Sequence, residues 1–549
     1  MGKPRKRKRY SNAKHNPIKQ ASKINSNELE NGCEADILQK IAMNLSSGSS
    51  IEKECGCSSL AMVAEKHADL ILERKLPKMA APLMLDKHNS VSHSAVGALV
   101  NISLTSPEVC DELVRQDVMT PLCTLLANYA PSKEKHWENK QEVKGEVMDQ
   151  KAEIFVKAVT LLWNLCEASE TALKIFNSKN IIQLLFSYIN LEMFGTDVVA
   201  CVLQCLYSVC ENNIPAVSAI KERGVNTLFT GFLIRPQNTS NPTNDLKNDS
   251  ASILYLRILA CGITISVLND AALIGNEDNG SGLYSEVLLI LMETAAKILD
   301  QDQRQLIHEY TSLIPVSDNE FRGSHQKKKQ HNVPPTEEEM DVHNEEAVEG
   351  KVKEDWSVAS DKILPKIETM KTEINHVILG QQMTCEILTN LCCDTEPDGG
   401  NWEEDSDDMN SSDISEEGYA MMEEENNEMS LCNNRSSNIP TVVLEGFVSH
   451  NLVSKVLGKA NFPAENACEI LKSLEFGRDK NKQDRFGGRV ILKMLSTLRS
   501  RAFLCVNNML GSDLSLEDLG GGNALFAVWS NLGLLCFQST TRQLESESR

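Results

Sequence analysis

The chain has 549 residues, a formal net charge of −22, and 41 % apolar but only 5 % aromatic residues. That length holds several compact domains or one repeat array, and a core poor in aromatics suits helices packed by Leu, Ile, Val and Ala. A body this acidic is a poor nucleic-acid binder, because neutralising phosphates needs a cationic surface; it is well suited to basic protein partners.

The N-terminus runs against the overall charge. Residues 1–25 hold nine Lys or Arg and no Asp or Glu. No apolar h-region follows, so this is not a secretory signal. The run Arg5, Lys6, Arg7, Lys8, Arg9 is open to two readings, an electrostatic handle for nucleic acid or a nuclear-import signal. Its flank helps choose. Lys14-His15-Asn16-Pro17-Ile18 resembles the R/K/H-x-x-Pro-Tyr half of the signals read by transportin-type carriers, with Ile18 where Tyr is usual. The expected reader of Arg5–Arg9, Lys14, Pro17 and Ile18 is therefore an import receptor of the importin-β/transportin type.

Next comes an internal repeat. Ala95, Leu99, Ala98 and Ile102 form the i, i+3, i+4, i+7 stripe of an amphipathic helix. The stripe recurs at Ala158, Leu161, Leu162, Leu165 and at Val202, Cys205, Leu206, Val209. It recurs again at Ala260, Ile263, Thr264, Val267, then at Thr384, Ile387, Leu388, Leu391, and last at Ala502, Cys505, Val506, Met509. A weaker copy is Gly56, Ser59, Leu60, Val63. The position before the last stripe residue is Met62, Asn101, Asn164, Ser208, Ser266, Asn390 and Asn508. Met62 to Asn101 is 39 residues and Asn164 to Ser208 is 44, the periods of armadillo or HEAT repeats, about 40–47 residues. Longer gaps hold the polar inserts Asn128–Gln150, Arg235–Ser250 and Asn269–Ser281. Gln116–Leu126 resembles the armadillo turn at Gly/Asp followed by a helix opened by Pro, here Pro121. Lys179–Leu185 and Arg223–Phe229 are looser copies. The expected fold is all-α, an armadillo/HEAT-repeat superhelical solenoid with a long disordered acidic insertion.

The boundaries follow from composition. Residues 1–27 are a disordered basic arm, 28–315 armadillo/HEAT repeats, and 316–360 a charged disordered linker with Lys327-Lys328-Lys329 and Pro334-Pro335. Residues 361–393 return to repeat helices. Residues 394–438 are an acidic disordered loop, 439–538 C-terminal HEAT-type helices, and 539–549 a polar tail. The longest apolar stretches, such as Ile258–Leu268, fall short of the ~18 residues of a spanning helix, so no membrane contact is expected.

Enzyme motifs are missing. There is no G-x-x-x-x-G-K-[ST], G-x-S-x-G or H-E-x-x-H, and Gly520-Gly521-Gly522 follows a Leu-rich helix rather than a strand. The 17 cysteines are scattered. Cys55/Cys57, Cys201/Cys205 and Cys392/Cys393 are close pairs, but no C-x-x-C or His stands at zinc spacing, so they are expected to be small buried helix residues. The expectation is a binding protein, not an enzyme, with no cofactor and no metal.

Stacked helix pairs form a concave surface lined by one helix per repeat. In armadillo proteins an Asn of that helix pairs with the backbone of an extended peptide. Asn101, Asn164 and Asn390 occupy that slot, with Trp163 and Tyr207 immediately before it in their repeats. Either these residues hold a client peptide, or the Asn side chains satisfy helix ends and neighbouring repeats. Importin-α proteins carry a Trp four residues before the Asn. Here that place holds Gly97, Thr160, Gln204, Gly262, Glu386 and Leu504, so a general receptor for short basic signals is not expected.

The stretch from Asp394 to Glu428 has fifteen acidic residues in thirty-five and no Lys or Arg. Such a tract is solvated rather than folded. Its candidate client-binding residues are Trp402, Glu403, Glu404, Asp405, Asp407, Asp408, Glu416, Glu417, Glu423, Glu424 and Glu425.

Taken in order, several segments are similar to the HEAT repeat-containing protein 3, or symportin, family. They are Met1-Gly2-Lys3 with the basic arm, Val109-Cys110-Asp111, Asp117–Leu122, Leu162–Glu167, Leu391-Cys392-Cys393, Trp402-Glu403-Glu404, Arg501–Cys505 and Asp518–Gly521. The resemblance covers nearly the whole length. It implies an adaptor and dedicated chaperone for the two large-subunit ribosomal proteins that join 5S rRNA. One client would give an N-terminal peptide to the groove, the other would associate with the acidic loop, and an import receptor would read the arm. The expected protein is a monomer found in cytoplasm and nucleus, with no direct nucleic-acid contact. An armadillo-type scaffold with unrelated clients is the alternative.

Overall fold

Seven long helices form the spine of the molecule, and each carries one of the seven stripes. They are α1 Ser50–Val63, α2 Asn89–Ser103, α3 Glu146–Ala168, α4 Thr196–Cys210, α5 Ala251–Ala272, α6 Glu346–Leu391 and α7 Gly488–Leu510. The computed structural model describes residues 34–129, 146–211, 213–233, 250–272, 280–314, 346–392, 439–461, 463, 465–473 and 487–510, with scattered positions from 515 to 533. Every regular element among these is helical.

The spine helices pack on one another in chain order, α1 on α2, α2 on α3, and so on to α6 on α7. The stripes explain this. Of their 28 residues, 27 are buried and Leu391 is half-buried. Each fully buried Leu or Ile contributes about 1.5–3 kcal/mol relative to an exposed one, so a helix with four such positions is held mainly by its neighbours.

Further helices lie between successive spine helices and form the second layer. Pro107–Arg115 and Met119–Asn128 bridge α2 and α3. Glu170–Ser178 and Ile181–Phe186 bridge α3 and α4, and Gly280–Asp300 with Gln303–Leu313 bridges α5 and α6. The turn between two such helices reuses one device. Asp117 has φ 62° and Asn180 φ 51°, and Lys75 and Asn451 are left-handed at φ 54° and 51°. Asn and Asp tolerate this region better than other side chains. The turn expected from Gln116–Leu126 is thus present, with Pro121 in the first turn of the following helix, where its missing N–H costs nothing. Ser106 and Ser169 cap the preceding helices, accepting from Val109 N and Ala172 N at 3.4 Å.

Two expectations need correction. Helix α6 begins at Glu346 and continues through Pro365, so residues 346–360 are helical rather than disordered linker. Proline lacks a backbone N–H and crowds the preceding turn, and α6 nonetheless runs on through Pro365. Second, Ala251–Asn269 within α5 has a mean hydropathy of 1.9 over 19 residues, enough by length and composition to cross a membrane. The flanks of Ile258–Leu268 are more apolar than they looked. The same window is 78 % buried inside the fold, which is the setting of a core helix enclosed on all sides.

Candidate client-binding face

The Asn slots lie along one face of the spine; three of the side chains tie neighbouring helices together and a fourth reaches past one helix to the next. Asn101 Nδ2 donates to Ala61 O of α1 at 3.2 Å. Asn164 Nδ2 donates to Ser103 Oγ of α2 at 2.9 Å. Asn390 Nδ2 approaches the Tyr207 hydroxyl of α4 at 3.5 Å, and Asn508 Nδ2 donates to Thr389 O of α6 at 3.2 Å. Of the two uses weighed for these residues, the free chain displays the inter-repeat one. Each bond is worth about 1 kcal/mol net. The slots are not sealed: Asn101, Asn164 and Ser208 are half-buried and Asn390 is exposed.

The inner side follows from a contact that skips a helix. Asn390 of α6 meets the Tyr207 hydroxyl of α4 across α5, and Tyr207 and Ile387 each lie 2.8 Å from where a Cβ on Gly262 would sit. His376 of α6 reaches back to Asp197 of α4, with Nε2 3.4 Å from Oδ1. Both contacts cross α5 on the slot face, so at α4–α6 this is the face on which the spine helices close together, the inner side of the stack.

The positions four residues before the slots form no aromatic row. Gly97 and Gly262 are buried, and Thr160 Oγ1 donates back to Val156 O at 2.8 Å. Glu386 pairs with the buried guanidinium of Arg501 at 2.8 Å. Trp163 is half-buried, and its indole Nε1 is buried without a partner among the described residues. The Asn101 Oδ1 is in the same state. Tyr207 is half-buried; burial first, then the nearby Glu386 and Glu211, hold its phenol well above the usual tyrosine range.

A second row on this face escaped the sequence reading. It sits two to four turns before the slots. His93 Nε2 lies 3.1 Å from Glu153 Oε2, and Lys157 Nζ contacts the same His93 nitrogen. Burial pushes Lys157 down to about 8, opposed by Glu153. Burial and the adjacent Lys157 hold His93 below its ordinary value. Asp197 and His376 continue the row on α4 and α6. The signal was available: Glu153 and Asp197 each stand eleven residues, three helical turns, before Asn164 and Ser208.

The cysteines behave as small core residues. Cys201 and Cys205 are fully buried, and burial drives their thiols up, Cys201 to about 12. Cys57 and Cys392 are buried as well. The basic arm with Arg5–Arg9, Lys14, Pro17 and Ile18, and the acidic tract from Trp402 to Glu425, lie outside the described residues.

A helical-repeat solenoid with a polar inner face belongs to the class of repeat scaffolds, which bind other proteins through extended inner surfaces. Comparison sharpens the class. The chain is 25 % identical to HEAT repeat-containing protein 3 of Homo sapiens over 521 residues, 93 % of this chain and 69 % of that protein. It is 24 % identical to HEAT repeat-containing protein 3 of Mus musculus over 556 residues, 98 % of this chain and 74 % of that one. Residues 441–548 match the family model described as SYO1-like, TPR repeats, so the region expected as HEAT-type helices carries a TPR description. The resemblance to the HEAT repeat-containing protein 3 group therefore holds along most of the chain. Among solved structures, an engineered protein overlaps 87 % of this chain and 99 % of its own at 13 % identity and a TM-score of 0.31. Kap95p, from a complex with RanGDP, overlaps 84 % of this chain and 58 % of its own at 11 % identity and a TM-score of 0.32. Superpositions that loose have no bearing on function.

Proposed function

We propose that this protein is an adaptor and dedicated chaperone for the two basic large-subunit ribosomal proteins of the 5S particle, linking them to an importin-β/transportin-type receptor for nuclear import. The observation that carries this reading is the similarity to HEAT repeat-containing protein 3 along most of the chain, joined to the SYO1-like C-terminal match. The physical setting agrees. Free ribosomal proteins carry Lys- and Arg-rich RNA-binding surfaces. A tethered polyanion offers substitute carboxylates at high effective concentration. Each close pair in water gives only about 1 kcal/mol and is screened by salt, so many weak contacts protect the client yet yield to rRNA. The inner face supplies the specific half of the site. The basic arm serves as the import address, and the protein works in cytoplasm and nucleus.

The test is charge removal. Neutralising the carboxylates from Glu403 to Glu425 in the full chain is expected to weaken capture of one client and leave the other bound. Unchanged binding of both ends the role assigned to the tract. Deleting residues 1–25 is expected to abolish nuclear entry while client binding persists; loss of RNA binding instead would favour a nucleic-acid role for the arm.

A further inference from the structure

One nitrogen at the joint between α2 and α3 has two claimants. His93 stands in the second turn of α2, and Glu153 and Lys157, one turn apart on α3, both reach it. Glu153 Oε2 lies 3.1 Å from His93 Nε2, and Lys157 Nζ contacts the same atom. An imidazole nitrogen carries either a proton or a lone pair, so it serves one of them at a time. With a lone pair there, His93 accepts from the Lys157 ammonium and offers Glu153 nothing. With a proton there, it donates to Glu153 and turns an N–H toward the ammonium.

Burial makes the choice consequential. Lys157 is 4 % exposed, and among the described residues its ammonium bonds to the imidazole and to no carboxylate. Glu153 is 61 % exposed and keeps water in either state. The other charges nearby are few or engaged. Glu54 of α1 acts on His93 together with Lys157 and Glu153. Lys53 of α1 pairs with Asp86, before α2, at 2.9 Å, and Asp197 of α4 with His376 at 3.4 Å. The Cys110 and Cys201 thiols donate to Ser103 O and Val156 O.

We propose that the His93–Lys157 contact is a proton-operated latch between α2 and α3, closed while the imidazole is neutral and opened when it takes a proton and turns to Glu153. Two cations in contact with little water around them repel more strongly than one hydrogen bond holds, so the ammonium then leaves its buried place. Burial and the adjacent Lys157 keep His93 below its ordinary value in the closed joint. The open joint lacks both effects and binds the proton more readily, so falling pH favours opening. The tie of Asn164 to Ser103 at 2.9 Å, two turns further along α3, holds the other end of the same joint. Opening therefore spreads the end near Glu153 and leaves the slot end closed.

The experiment uses the full chain labelled with 15N-histidine, with His93 assigned by its absence from His93→Gln. Long-range 1H–15N correlation at pH 7.5 is expected to show Nε2 without a proton, the acceptor for Lys157. Amide hydrogen exchange, corrected for its intrinsic pH dependence, is expected to quicken several-fold in residues 151–160 between pH 7.5 and 5.5, and to change little in residues 161–168. His93→Gln accepts from Lys157 without titrating, and Lys157→Met removes the buried cation, so both should abolish the acceleration. A proton on Nε2 at pH 7.5 overturns the latch, and this reading needs only the wild type. Exchange that does not quicken in acid, or quickens equally in both variants, overturns it as well.

Discussion

The two halves of the spine are built from one stripe and one slot, yet their inner faces differ. From α1 to α3 each Asn ties its helix to the one before it, as Asn101 to Ala61 and Asn164 to Ser103. In the middle the tie skips a helix, from Asn390 of α6 to Tyr207 of α4. The difference comes from α5. Gly262 has no side chain to raise, and the helix around it is largely apolar and 78 % buried. Its neighbours close over it, and its Ser252 and Arg257 side chains bond to His376 and Phe232 O in place of water. A repeat can therefore keep its packing stripe while losing its share of the inner surface.

The comparison can be broken most strongly at Gly262. Gly262→Leu must displace Tyr207 and Ile387, and overpacking of this kind costs about 1–3 kcal/mol. Urea denaturation should register that loss, with Gly262→Ala losing less; an unchanged midpoint would mean that α5 is not roofed. The N-terminal half is probed next through Lys157, whose folded value of about 8 lies below the ordinary 10.5. Between those values the unfolded chain binds more protons, so this group makes stability rise with pH across that window, and its burial penalty is complete below about 8. Relative to Lys157→Met, the wild type should gain stability from pH 8 toward 10.5. A constant difference contradicts the buried ammonium. Asn164→Ala should remove about 1 kcal/mol, the net worth of one hydrogen bond. Tyr207→Phe should remove at most about 0.5 kcal/mol, because a 3.5 Å contact is at the weak limit; a loss larger than that of Asn164→Ala would reverse the ranking of the two ties.

Much of the spine was legible in the sequence, because a stripe at 3.6-residue spacing reports burial directly. Ala158, Leu161, Leu162 and Leu165 are core, as are their counterparts in the other copies except the half-buried Leu391. The turn at Asp117 was legible because few residues accept a left-handed backbone. What could not be read depends on contacts far apart in sequence. His376 and Ser252 are 124 residues apart, and Asn390 and Tyr207 183; no local pattern announces either. The start of α6 was misread because the boundary at residue 360 was drawn from composition, and a charged segment can still be helical. The Asn slots were found, but a carboxamide is chemically able to serve a neighbour or a guest, and only geometry reveals the neighbour.

The central claim is that this solenoid holds two basic clients at once. Mixing the purified full chain with the two purified 5S-associated ribosomal proteins, followed by size-exclusion chromatography with light scattering, measures it directly. The account predicts one complex containing a single copy of each protein, with the acid-neutralised variant losing one client and keeping the other. Elution of the chain with neither client would contradict it.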